Sequence, residues 1–222
     1  TMELKARLVV EGFITGLHRS PYHGFSVEFT EHRPYMPGDD LKRLDWKVLG
    51  KTDRYFIKQF EEETNLKSYL ILDASRSMNF TSGRDLPKIE YAKYLAASLA
   101  YLMTEQRDAV GLTVYGEAIA SSLPPRSTRL SLYRLLRELE RVEGGTGTRT
   151  AEVLHQVAEQ IKRRGLVLIL SDLLDEAGEV LNAFKHFRHR GHEVLVLHIL
   201  DPQERLFGFG SDAVFRDMET GE

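Results

Sequence analysis

The sequence predicts a three-layer α/β domain with a mainly parallel central sheet, preceded by a small N-terminal β-rich elaboration. In residues 65–222, short apolar runs alternate with amphipathic stretches of helical length. The apolar runs do not alternate with polar residues, as they would in a sheet with one solvent-exposed face. We therefore expect strands that are covered by helices on both sides. Residues 1–64 instead alternate like half-buried strands, which indicates a family-specific elaboration packed on the main domain.

The elaboration is predicted to contain two strands and one short helix. Residues 24–35 and 54–64 alternate between apolar and polar side chains, as half-buried strands do. Between them, the stretch "MPGDDLKRLDWK" begins with a Pro-Gly turn and continues as a short helix. We expect Asp39 or Asp40 to cap that helix, because Asp is a preferred residue at a helix N-terminus.

The main domain is predicted to alternate strands with amphipathic helices. The first strand, "LKSYLILD", is apolar, and the helix after it carries an apolar stripe. Prolines 124 and 125 are expected to stop a short edge strand, and Gly165 and Gly191 are expected to close two helices. The predicted strands cover residues 66–73, 108–116, 117–126, 166–172 and 193–200, and the predicted helices cover residues 88–106, 130–142, 150–165 and 177–191.

Composition excludes several classes of function. A formal net charge of −3 gives no general attraction to nucleic acid. The absence of cysteine rules out disulfides and thiolate sites and fits a cytoplasmic protein. No apolar run approaches the roughly 20 residues that span a bilayer, so we expect no membrane segment in this chain. Because the chain starts at Thr1, we expect it to be an excised fragment.

The stretch "LILDASRSM" ends an apolar strand in one carboxylate and two hydroxyls, Asp73, Ser75 and Ser77. A phosphatase of the haloacid dehalogenase type would need a second acid at the position of Ser75, where a hydroxyl cannot serve as general acid. On extended chain, residues two apart project in the same direction, so these three side chains can converge. Oxygen ligands of this kind suit a hard divalent cation.

Two further oxygen donors lie in loops of the same predicted domain, one after a helix and one at the end of a strand. Thr146 lies in the loop "GGTGT", with Thr148 as the competing residue, and Asp172 ends the strand "LVLILSD". Loops at the carboxyl ends of parallel strands share one edge, where ligands bind. The alternative is that these residues only cap helices or belong to loops. Taken one at a time they favour that alternative, whereas the five together favour a cation site.

These residues resemble a known motif. "DASRS", then Thr146, then Asp172 is similar to the metal-ion-dependent adhesion site of von Willebrand factor A domains, D-x-S-x-S…T…D. Including "EFTEHRPYMPGDDLKRLDWK" and "YFIKQFEEET", nearly the whole chain resembles a bacterial subgroup, the domain-of-unknown-function family fifty-eight. One departure is Leu173, where many von Willebrand A domains have Gly.

The resemblance implies a Rossmann-like sheet and a bound divalent cation. Mg²⁺ is the expected ion, with Mn²⁺ or Ca²⁺ as alternatives. The implied cation ligands are Asp73, Ser75, Ser77, Thr146 and Asp172. It also implies association with MoxR-type AAA+ ATPases. We therefore expect a non-catalytic, cation-dependent protein-interaction module, an adaptor or assembly factor whose partner supplies an acidic ligand to the metal. The alternative is a metal-dependent hydrolase that uses the same site to activate water.

Overall fold

The computed structural model describes residues 2, 4, 26–36, 44–63, 67–83, 86–145, 147 and 149–206 of the 222-residue chain. The chain divides into two compact units. The larger combines Thr1–Leu17 with Leu66–Glu222, and the smaller is His18–Asn65. Residues 1–17 therefore group with the main domain, although the sequence analysis assigned them to the elaboration. The predicted assignment of domains to residues 1–64 and 65–222 stays a prediction.

The smaller unit contains an antiparallel strand pair and a short helix. The strands are β1 (Ser26–Pro34) and β2 (Phe56–Glu63), and the helix is α1 (Trp46–Thr52). Asp45 caps the helix, because its carboxylate accepts hydrogen bonds from the amides of the second and third helical residues. Asp45 is therefore the cap of the described helix, whereas the start of the predicted helix falls in residues 37–43. Asp39 and Asp40 lie outside the described residues.

The larger unit contains a five-stranded sheet with the order β5-β4-β3-β6-β7. Only the edge strand β5 runs antiparallel to its neighbour; the other pairings are parallel. The predicted α/β class with a mainly parallel central sheet is therefore confirmed. The strands are β3 (Lys67–Asp73), β4 (Ala109–Tyr115), β5 (Ile119–Arg126), β6 (Leu166–Ser171) and β7 (Glu193–His198).

Helices connect these strands, and a single 3-10 turn follows β3. None of the helices in the part of the chain that the structure describes combines the length and the hydropathy needed to cross a membrane. The helices are α2 (Lys88–Glu105), α3 (Arg129–Arg141), α4 (Thr150–Gln160), α5 (Ala177–His189) and α6 (Pro202–Leu206), and the 3-10 turn is Ser77–Asn79.

Two details of the predicted elements are wrong. Strand β5 continues through Pro124 and Pro125 to Arg126, because an edge strand has one side on which no ladder hydrogen bond is needed. Helix α4 ends at Gln160, so Gly165 does not close it. The prediction for Gly191 is confirmed, since this residue follows α5 with φ of +82°, a conformation that glycine adopts without strain.

The sheet separates two apolar layers. Alternate residues of β3 point to opposite faces. Leu70 and Leu72 belong to the core under α2 and α3, whereas Ile71 belongs to the core under α4 and α5. All three are completely buried, which is why this strand reads as a continuous apolar run. Strand β3 is thereby fixed in the middle of a three-layer domain.

The order of the strands reverses at β3. Strand β4 pairs with one side of β3, and β6 pairs with the other side. The loops that leave β3 and β6 therefore diverge at the carboxyl edge of the sheet, which is where doubly wound sheets bind ligands. Asp73 is the last residue of β3, and Asp172 directly follows β6. The fold places both predicted acidic ligands at this reversal point.

Gly111 of β4 provides a test of the edge-strand packing. A Cβ atom at this residue would lie 2.7 Å from the carbonyl oxygen of Leu123 and 2.9 Å from the nitrogen of Pro125. We expect Gly111→Ala to lower the free energy of unfolding by about 1–3 kcal/mol through overpacking, as measured by urea denaturation. Gly50→Ala is the control, because a Cβ there meets nothing within 4 Å. Equal stability of both variants would contradict this packing.

Candidate metal centre

Asp73 is buried at the end of β3, with 1% of its surface exposed. Its Oδ1 accepts a hydrogen bond from the Ser75 amide at 2.8 Å. Its Oδ2 accepts one from the Ser171 hydroxyl at 2.6 Å and one from the Tyr115 hydroxyl at 3.2 Å. Burial raises the pKa of Asp73 above its ordinary value, although the hydrogen bonds from Ser171 and Ser75 act in the opposite direction.

Ser75 and Ser77 place two hydroxyls side by side. Both residues are buried, and their Oγ atoms lie 3.0 Å apart. Two oxygens that coordinate one Mg²⁺ at right angles, each 2.0–2.1 Å from the ion, are separated by about 3.0 Å. Ser77 starts the 3-10 turn after β3, and the two hydroxyls are hydrogen-bonded to each other at this distance. The structure therefore brings three of the predicted ligands, Asp73, Ser75 and Ser77, together.

Asp172 lies at the same sheet edge, and its charge raises the pKa of Asp73 further. Its own carboxylate is paired with an ammonium group, because Oδ2 lies 2.8 Å from Nζ of Lys88. The same Nζ lies 2.7 Å from Oε1 of Glu204. Asp172 therefore lies close enough to Asp73 for the two charges to interact, and it is paired with a positive side chain that carries no signal in the sequence motif.

The loop that carries Thr146 approaches the site from the end of α3. The Gly145 amide donates a hydrogen bond to the carbonyl of Ala74 at 2.5 Å. A Cβ at Gly144 would overlap the Asn79 side chain, at 1.9 Å from the nearest atom. The Asn79 side chain can turn aside, but a Cβ at Gly145 would lie 2.9 Å from the backbone carbonyl oxygen of Ala74, so the close approach of this loop to the end of β3 requires glycine at residue 145. Thr146 itself and its competitor Thr148 lie outside the described residues.

Sequence reasoning missed three residues that contact the predicted ligands, Tyr115, Ser171 and Lys88, and a fourth, Glu204, that contacts Lys88. Tyr115 ends β4 and Ser171 ends β6, so both could have been found by asking which polar residues end the strands beside β3. Lys88 and Glu204 carry no such signal. They are charged residues at the start of α2 and within α6, and only the tertiary fold brings Lys88 to Asp172 and Glu204 to Lys88.

Leu173 has a left-handed backbone conformation, with φ of +54°. Glycine adopts this conformation without cost, whereas a leucine pays roughly 1–2 kcal/mol. The loop nevertheless keeps the shape, since the Leu173 amide donates to the Ser171 hydroxyl at 2.8 Å and its carbonyl accepts from the Asp175 amide. The departure from glycine at this residue therefore adds strain without changing the path of the chain.

A cavity of about 330 Å³ opens beside Ala74 and Gly145. Its charged lining consists of Glu117, Glu138, Glu143 and Arg141, so acidic groups predominate. A molecule that contacts the serine pair from this side meets negative side chains next to the site. This surface favours a partner in which basic groups surround the side chain that contacts the serine pair.

The donor chemistry of the site fits a hard divalent cation. The described residues contain no group of three or more His, Cys, Asp or Glu side chains placed to hold a metal ion. Any cation here would instead depend on the hydroxyls of Ser75 and Ser77, with the carboxylates of Asp73 and Asp172 beside them. Neutral hydroxyls 3.0 Å apart, backed by a buried carboxylate, are compatible with Mg²⁺ coordination.

The sheet order and the polar residues at its reversal point define a von Willebrand A-like α/β protein. A family profile identifies the group more closely. Residues 31–222 match the family described as "Protein of unknown function DUF58", and the chain belongs to that family. The resemblance inferred from the sequence is thus confirmed. An "Uncharacterized protein Rv1480" of Mycobacterium tuberculosis is 28% identical over 226 residues, which cover the whole of this chain and 70% of that protein.

Solved bacterial structures are among those to which this chain is similar. An aerotolerance-related membrane protein of Bacteroides fragilis is 22% identical, with a TM-score of 0.52 over 71% of this chain and 79% of that one. Conserved hypothetical protein BatB of Bacteroides thetaiotaomicron is 22% identical, with a TM-score of 0.48 over 59% of this chain and 65% of that one. A von Willebrand factor type A structure from Catenulispora acidiphila is 15% identical, with a TM-score of 0.42 over 64% and 33%.

Tyr115→Phe tests how the buried charge of Asp73 is held. The pKa of Asp73 is raised above 3.8, so its contribution to stability is present at acid pH and is lost as the pH rises through the raised value. Removing the Tyr115 hydroxyl takes a donor from the ionised form and raises this pKa further. We therefore expect little change in the free energy of unfolding below pH 4 and a loss of about 1–2 kcal/mol at neutral pH.

The measurement is urea denaturation in EDTA at both pH values. Tyr133→Phe is the control, because Tyr133 is exposed on α3 and makes no contact with Asp73. A loss of the same size at both pH values would show that Tyr115 acts through packing alone.

Proposed function

We propose that the chain is a non-catalytic protein-interaction module whose binding of a partner depends on a divalent cation at this site. The residues that would hold the ion are Asp73, Ser75, Ser77, Asp172 and, from the motif, Thr146. Mg²⁺ is the preferred ion in this proposal, and Mn²⁺ and Ca²⁺ are the alternatives. A cation bound mainly through neutral hydroxyls supplies an electrophilic position that a partner's carboxylate can complete. The protein's own part is to hold the two hydroxyls in place beside the buried carboxylates.

The spacing of the serine hydroxyls is the observation that carries this proposal. Ser75 and Ser77 are buried, lie 3.0 Å apart and stand next to a carboxylate that is already hydrogen-bonded on both oxygens. Asp73 thus has little capacity left for direct coordination, and an outer role through water suits it. The site offers few charged ligands of its own, which favours an acidic ligand from outside.

The surface around the site supports a protein partner. Leu86 and Leu174 are 54% and 55% exposed on the two loops that flank Lys88 and Asp172. Large apolar side chains beside a polar centre are typical of protein-binding surfaces. On the other side of the site, the cavity contributes Glu117 and Glu143. The partner proposed here therefore combines one acidic ligand with neighbouring basic and apolar residues.

A MoxR-type AAA+ ATPase, or a client of one, is the proposed partner. The motif resemblance and the family membership support this choice, and the chain is proposed to act as an adaptor or assembly factor. The absence of catalysis is likewise a proposal. A panel of phosphatase and phosphodiesterase substrates, tested with Mg²⁺ or Mn²⁺, is expected to give no turnover above the Asp73→Asn variant. Turnover that this variant lacks would favour the hydrolase alternative instead.

Asp73→Asn is the variant that tests the interaction. Asparagine keeps the size of the side chain and an acceptor for the Ser75 amide, so the fold is expected to survive. We expect Mg²⁺ affinity, measured by calorimetry, to fall by roughly 10–100-fold, because residues that support metal ligands contribute about that much. Binding to the purified MoxR-type ATPase from the same genome should fall in parallel.

The binding experiment needs variants and not only a chelator. EDTA would also remove Mg²⁺ from the nucleotide of an AAA+ ATPase, so loss of binding in EDTA alone is ambiguous. Asp108→Asn is the matched control, since Asp108 is equally buried but precedes β4 at the opposite edge of the sheet. If Asp73→Asn retained full partner affinity in Mg²⁺, the proposed mechanism would be wrong.

A further inference from the structure

Lys88 places a positive charge inside the candidate metal centre. It is the first residue of α2, and only 2% of its surface is exposed. Its ammonium lies 2.8 Å from Asp172 Oδ2 and 2.7 Å from Glu204 Oε1, and it stands 5.7 Å from the centre of the Phe80 ring. A buried ammonium is stable only with such partners. Lys88 therefore neutralises Asp172 when no other cation does so.

A divalent cation and this ammonium compete for the same carboxylate. Asp172 is among the predicted ligands, and its other oxygen has only a long contact, 3.4 Å, with the Leu174 amide. A doubly charged ion placed beside Asp172 would repel an ammonium that remains 2.8 Å from the same group. Binding of the ion thus favours movement of the Lys88 head away from Asp172.

Glu204 provides a second position for the ammonium. Its side chain is partly exposed, and its Oε2 accepts a hydrogen bond from the Asp201 amide at the start of α6. Asp201 in turn accepts a hydrogen bond from the Ser82 amide, in the loop between β3 and α2. The long, flexible stem of lysine allows its head to leave Asp172 and to keep its contact with Glu204 while the backbone stays in place.

We propose that Lys88 is a tethered competitor of the divalent cation: its ammonium bridges Asp172 and Glu204 in the metal-free protein, and it releases Asp172 and keeps Glu204 when the cation binds. Lys88 then sets the cation concentration at which the site fills. This inference rests on the proposed function, since it assumes that Asp172 belongs to a cation site. It adds that the chain carries its own inhibitor of that site.

Calorimetric titration of the chain with MgCl₂ at constant ionic strength tests this inference. We expect Lys88→Met to bind Mg²⁺ at least about tenfold more tightly than the wild type, because one repulsive charge is removed. Mg²⁺ should also raise the Tm of Lys88→Met more than that of the wild type, since only the ion can then neutralise Asp172. Glu204→Gln should act in the opposite direction and weaken Mg²⁺ binding, with a smaller effect when Lys88 is already Met.

Lys93→Met is the matched control. Lys93 is a second buried lysine of α2, but its ammonium pairs with Glu90 and the Val142 carbonyl, away from Asp172. Tighter Mg²⁺ binding by Lys88→Met and not by Lys93→Met would support the inference. The inference would be overturned if Lys88→Met bound Mg²⁺ no more tightly than the wild type, or if both variants gained the same affinity. In either case the proposed function would still be supported by binding of Mg²⁺ to the wild type.

Two remaining outcomes are also decisive. If neither the wild type nor Lys88→Met binds Mg²⁺, both the inference and the proposed function fall. If Lys88→Met unfolds without metal, recovery of its fold in MgCl₂ would support the inference, because the ion then replaces the ammonium. A Lys88→Met variant that stays unfolded in MgCl₂ would overturn it.

Discussion

The buried carboxylate of Asp73 is the group on which the arrangement of the carboxyl sheet edge depends. An isolated charge at this depth would be costly, so it must be surrounded by donors. These donors come from three directions: the amide of Ser75 in its own loop, the hydroxyl of Tyr115 at the end of β4 and the hydroxyl of Ser171 at the end of β6. One side chain thereby connects the ends of the three central strands. The serine pair follows directly on this side chain in the sequence, so these hydrogen bonds also help to position it.

The second carboxylate of the site is neutralised in a different way. The charge of Asp73 is met by neutral donors that are fixed to strands and short loops, whereas the charge of Asp172 is met by the ammonium of Lys88. The neutral donors belong to the backbone and to buried side chains at the strand ends, whereas an ammonium on a flexible four-carbon stem can move between partners. The site therefore has one half that is rigid and one half in which the partner of the charge can change. This difference follows from the chemistry of the donors, since both carboxylates are buried to a similar extent.

The sequence predicts the layers and the sheet well because these depend on local patterns. Leu70, Ile71 and Leu72 are apolar in succession since both faces of β3 are covered, and the pattern is visible without the fold. The edge strand β5 was predicted, but its continuation through Pro124 and Pro125 was not, because which backbone groups of an edge strand lack a ladder partner depends on the whole sheet. The same holds within the site. Asp73, Ser75 and Ser77 follow from their spacing, whereas Lys88 contacts a residue 84 positions away and has no local signal.

Leu173 shows how the buried charge and the backbone strain belong to one unit. The left-handed turn at Leu173 directs its amide to the oxygen of Ser171, and the Ser171 hydroxyl is then free to donate its proton to Asp73. Each hydrogen bond in this chain polarises the next, so the amide strengthens the contact that the hydroxyl makes with the carboxylate. A strained residue persists only where the surroundings determine it fully. Here the hydrogen bonds that satisfy the Asp73 carboxylate fix the turn. They explain why it keeps its shape even though a leucine, and not a glycine, occupies it.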